Sequence, residues 1–89
     1  MTYTVVLWSE EVGGYSVQVP ALPGCWTQGE TVEEALDMAR EAIGGYLAVL
    51  AEDGDPLPVE GDDLVLRLGA AREGIIRRVT VEPPVLSHA

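Results

Sequence analysis

The sequence contains no lysine, asparagine or phenylalanine, and only one cysteine and one histidine. A single thiol forms no internal disulfide, which sets aside the stapled scaffolds of small secreted proteins. His88 sits one residue from the end, with no partners at ligand spacing, so neither a histidine metal site nor a Cys–His nucleophile pair is expected. Cys25 then reads as a small buried thiol. No apolar run approaches the roughly 20 residues that cross a bilayer. The N-terminus lacks a basic stretch followed by an apolar one. No phosphate loop or dinucleotide fingerprint is present. The acids of Glu52–Asp55 and Glu60–Asp63 miss the spacing of a calcium loop. These absences predict a cytoplasmic chain with no membrane segment, no cofactor, no metal and no catalytic residues.

What is present is acid. Fifteen Asp and Glu face five arginines, for a formal net charge of −10. Residues 1–63 hold thirteen of the acids and only Arg40, a balance of −12, whereas residues 64–89 carry a balance of +2. An acidic body repels nucleic acid phosphates and attracts basic surfaces; it also serves solubility. At 89 residues and 47% hydrophobic, the chain is expected to form a single folded domain over 1–89 with a modest core.

Thr2–Trp8 is rich in β-branched and aromatic residues and predicts a strand. Tyr15, Val17 and Val19 alternate with Ser16 and Gln18, predicting a second strand, half buried, across a glycine-ended turn. Pro20 ends it, and Pro23–Gly24 signals a turn into a short third strand over 25–28, which Gly29 releases. Thr31 to Glu34 has the pattern of a capping box opening a helix over 32–51. Val32, Ala35, Leu36, Ala39, Ile43, Tyr46, Leu47 and Leu50 follow helical spacing along its buried side. Gly44–Gly45 inside this helix implies close packing against a sheet or a bend. Gly54 is its expected stop, and Asp55–Pro58 an extended linker. Strands are expected at 75–82 and, with less support from the pattern, at 64–68, paired in the main sheet or with another chain; Pro83–Pro84 ends structure.

The pattern Val19-Pro20-Ala21-Leu22-Pro23-Gly24-Cys25, then Gln28-Gly29-Glu30-Thr31 and Glu33-Glu34-Ala35-Leu36, resembles the HicB family. The resemblance covers residues 1–58, with 59–82 as linker and completing strands and 83–89 as a tail. It implies an α+β fold of partial ribonuclease H-like type, β-β-β-α-β, in which a three- to four-stranded antiparallel sheet packs on one main helix. It also implies an antitoxin-like module that sequesters a small, basic, mRNA-cleaving toxin of the HicA type. The DNA-binding domain that usually follows in such antitoxins has no counterpart in the last 31 residues, so direct DNA binding is not expected. The first strand carries no acid, and the helix acids fall on the solvent side, so the two-metal chemistry of ribonuclease H is not expected either.

Two functions remain open at this level: the toxin-binding antitoxin, and a stand-alone homo-oligomeric interaction module. An exposed strand edge predicts self-association to a dimer or tetramer. For a basic partner, the expected contact residues are Glu10 and Glu11 on the hairpin loop and Glu33, Glu34, Asp37 and Glu41 on one helical face. Trp8 and Trp26 belong to the core or, if exposed, anchor the interface.

Overall fold

The structure, a computed structural model, describes residues 1–61 and 74–84. The strand expected at 64–68 and the last five residues lie outside these. The elements are β1 (Thr2–Ser9), β2 (Tyr15–Gln18), β3 (Trp26–Gly29), α1 (Val32–Glu52) and β4 (Gly74–Thr80). The strands form one antiparallel sheet in the order β3-β2-β1-β4, and α1 packs on one face. The fold is therefore α+β, as expected, with each element within about two residues of its predicted bounds.

The connection from β2 to β3 is a fold-back. Cys25 N–H donates to Leu22 O at 3.0 Å around Pro23–Gly24, and Gly24 has φ +80°. Proline at the second position and a left-handed glycine at the third make this a type II turn. The turn drives Leu22 into the core, where it is fully buried. Tyr46 on α1 holds the turn from above, donating its hydroxyl to Pro23 O at 2.9 Å. Cys25 is buried beside it, and that burial pushes its thiol pKa above the ordinary 9.0. A thiol held in its neutral form is a poor nucleophile, which agrees with a packing role.

Thr31 caps α1, accepting from the Glu34 N–H at 3.1 Å. The other end closes in a Schellman motif: Asp55 N–H reaches Leu50 O at 2.9 Å, and Gly54 N–H reaches Ala51 O at 3.2 Å with Gly54 at φ +75°. Ala35, Ala39, Ile43 and Leu47 are fully buried against Tyr3, Val5, Leu7, Val17, Val19 and Val79. Leu36 is half-buried at the margin of this cluster.

One of the two readings of Gly44–Gly45 fails. A β-carbon on Gly44 or Gly45 would meet nothing within 4 Å, so close packing does not account for the pair, and α1 runs through both without a break. The close approach is at Gly29 instead. A β-carbon there would lie 2.5 Å from Ala35 N and 2.6 Å from Ala35 Cα, so only glycine lets β3 meet the first turn of α1.

β1 is buried over six consecutive residues, Tyr3 to Trp8, as befits a central strand. Met1 and Val81 exchange both backbone bonds, so the odd residues of β1 face β4 and the even ones face β2. β2 ends at Gln18, before Pro20, and the Thr4 N–H has no strand to bond. Glu60, from the linker after α1, takes that place: its carboxylate accepts from Thr4 N at 2.6 Å and from Thr4 Oγ1 at 2.8 Å. Next to it the Tyr3 hydroxyl donates to Pro58 O. The linker thus fills the gap beside β1 that β2 leaves.

Candidate partner-binding face

The acids named from the sequence lie on α1 and on the β1–β2 turn. Glu33, Glu34, Asp37 and Glu41 are exposed on α1, and Glu10 and Glu11 sit at the β1–β2 turn. Glu33 and Glu34 occupy the first turn, where the helix dipole favours negative charge. Asp37 pairs with Arg40 at 2.9 Å across one helical turn; both are exposed, so the pair contributes little stability. Glu10 accepts from Ser16 Oγ at 2.7 Å, which orients its carboxylate.

The turn that carries Glu10 and Glu11 is built on glycine. Gly13 and Gly14 have φ +96° and +78°, and Gly13 N–H and Glu10 N–H close it with bonds of 3.0 and 3.1 Å to Glu10 O and Gly14 O. This projects Val12, 98% exposed, from the tip. Between that tip, the end of β3 and the start of α1 lies an open groove of about 580 Å³. Glu10 and Glu34 come together in it, joined by Glu30, Gln28, Val12 and Met38. Glu34 lines this groove, and of the capping box only the bond from its N–H to Thr31 Oγ1 forms.

Glu11, Glu33, Asp37 and Glu41 do not line the groove. Glu30, Val12 and Met38 were not among the residues read from the sequence. Glu30 stands next to the N-cap and could have been found from that position; Val12 and Met38 gave no signal, because an apolar residue on a turn or helix reads first as core.

The two tryptophans separate. Trp26 on β3 is 60% exposed and stands on the sheet face away from α1. Trp8 is 6% exposed, which removes it as an interface anchor and corrects the expectation that left this role open. Its ring lies over Gly74, its register partner on β4, with ring carbon Cζ3 3.3 Å from where a β-carbon would stand.

The groove is acidic and partly apolar, a surface suited to binding a basic partner. Among the described residues no group of three or more His, Cys, Asp or Glu is placed to hold a metal ion. Fold and face together define an α+β module with an acidic groove.

Over residues 3–83 the chain matches the family described as HicB-like antitoxin of bacterial toxin-antitoxin system, and it belongs to that family. A UPF0150 protein of Thermoplasma acidophilum is 48% identical over 58 residues, covering 65% of this chain and 84% of the relative. Antitoxin HicB 1 of Photorhabdus laumondii is 43% identical over 61 residues, covering 68% of this chain but 39% of the relative. Among solved structures, a chain of the HicA3 and HicB3 toxin-antitoxin complex superposes with TM-score 0.69 at 27% identity, over 93% of this chain and 100% of that one. An antitoxin works by binding, so the chain is not an enzyme. Among the described residues no helix is long and apolar enough to cross a membrane.

Proposed function

We propose that this chain neutralises a small basic ribonuclease of the HicA type in the cytoplasm by occluding the surface with which the toxin grips RNA. The observation that carries this is the placement of charge. Glu10, Glu30 and Glu34 line one groove, Glu11 stands next to Glu10 on the same turn, and Glu33, Asp37 and Glu41 are exposed on the helix that carries Glu34. A protein that binds RNA presents cations to phosphate, and an acidic face competes for the same cations. The acids steer encounter, and the exposed Trp26 supplies an apolar anchor. The same charge disfavours direct contact with DNA.

The test is co-expression with a HicA-type toxin, sought first in any small basic reading frame beside its gene, followed by purification and an mRNA-cleavage assay. The antitoxin reading predicts a stable complex that cleaves no mRNA, and release of cleavage when the complex is dissociated.

A second reading is favoured by the relatives themselves. The matched UPF0150 protein is covered over 84% of its length, whereas the named antitoxin is covered over 39%. On that reading the domain is a self-associating module, dimeric or tetrameric, that needs no toxin. Light scattering of the pure chain separates the two: a mass near 9.5 kDa at micromolar concentration rules out the second.

A further inference from the structure

We propose that the outer edge of β3 takes up an extended, basic segment of the partner protein by β-strand addition. This rests on the reading of a basic partner given above and names where and how it docks.

The edge follows from the register. Val19 N–H donates to Cys25 O at 3.2 Å, and Val17 pairs with Thr27 and Tyr15 with Gly29. Antiparallel partners exchange bonds at alternate positions, so the backbone N–H and C=O of Thr27 and Gly29 face β2. Those of Trp26 and Gln28 point outward, and among the described residues nothing hydrogen-bonds to them. A sheet edge of this kind is a template for another strand.

Two further features say which strand. First, Trp26 stands 60% exposed on one face of this edge, a rigid apolar platform for an incoming side chain. Second, the edge runs at its Gly29 end into the groove lined by Glu10, Glu30 and Glu34. An incoming strand alternates its side chains with period two. Apolar residues on one face would lie over Trp26, and cations at its far end would reach the carboxylates.

None of the described arginines lines the groove. Arg40 is ion-paired with Asp37 on α1, and Arg77 and Arg78 sit on β4 at the opposite edge of the sheet. A second copy of the chain is a poorer occupant: residues 20–34 contain no arginine, so pairing β3 with its own copy would bring no cation from that segment to Glu30 and Glu34.

The test is amide hydrogen exchange by NMR on the full chain, with a blocked ten-residue peptide of alternating arginine and valine as probe. In the free protein the Trp26 and Gln28 amides should exchange fast; saturating peptide should slow both by about tenfold or more, leaving the β1 amides unchanged. Gln28→Pro removes an outward N–H without touching the ladder to β2, and should weaken the peptide by about tenfold. Trp26→Ala, which keeps every backbone donor, should weaken it comparably.

Unchanged exchange at saturation overturns the proposal, as does undiminished binding by both variants. Protection in the free protein that rises with protein concentration assigns the edge to a second copy, and protection independent of concentration assigns it to the chain itself; either overturns it. If the peptide fails while a HicA-type toxin still binds, strand addition falls and the antitoxin reading stands. If that toxin fails to bind as well, the reading itself falls.

Discussion

Gly29 and Ala35 touch backbone to backbone: a β-carbon on Gly29 would lie 2.5 Å from the Ala35 nitrogen. This one contact sets how closely β3 approaches α1, and through it the position of the groove and of Trp26. Gly29→Ala must push the helix start away from the sheet. Overpacking of this kind costs about 1–3 kcal/mol, read as a lower urea midpoint. A midpoint equal to that of the unsubstituted protein would show that the junction relaxes freely.

The opposite outcome is expected at Gly45. It lies in the interior of α1, exposed, with open space where a β-carbon would go. Gly45→Ala should stabilise by about 0.5–1 kcal/mol through helix propensity and the reduced freedom of the unfolded chain. Thermal denaturation in parallel with Gly29→Ala checks both signs.

These two glycines show what was legible in the sequence. Turn glycines announce themselves through their neighbours: Pro23–Gly24 and the end of α1 at Gly54 both read correctly. A glycine that admits a neighbouring backbone looks the same as one that does not: Gly29 reads only as the end of the third strand, and Gly44–Gly45 as close packing or a bend. The alternation in β2 gave its buried face, but nothing in β1 shows that its second face, with Val6 and Trp8, is also buried. Glu60 was equally hidden, because its partner Thr4 is 56 residues away. Of the binding face, the helical acids were legible from their spacing. Glu30, Val12 and Met38 needed the fold to bring them together.

Glu60 stands in for a missing strand beside Thr4, accepting from both its N–H and its hydroxyl. Glu60→Ala leaves a partly buried backbone donor without a partner. A loss of about 1–3 kcal/mol is expected in denaturant unfolding, with faster exchange of the Thr4 amide. Exchange unchanged at Thr4 would show that water replaces the carboxylate at no cost.

Alkaline pH should weaken the fold in a defined window. Burial raises the Cys25 thiol above its ordinary 9.0; burial first, and then the Glu60 carboxylate, raise the Tyr3 hydroxyl above 10.0. Both groups are neutral when protonated, and the folded state favours that form. Their contributions are complete below the unfolded values and are lost as pH rises through the raised ones. Melting temperature should therefore fall from about pH 9 upward, and Tyr3→Phe together with Cys25→Ala should flatten the fall.

The central claim, that an acidic face recognises a basic toxin, is tested most directly by association kinetics. The chain is immobilised, and a HicA-type toxin that it binds is passed over at low and high salt. The comparison is a variant carrying Glu33→Lys, Glu34→Lys, Asp37→Lys and Glu41→Lys. The account predicts an on-rate that falls by about tenfold or more with salt, and by a similar factor on charge reversal at low salt, with a smaller change in off-rate. An on-rate indifferent to both salt and reversal would contradict it.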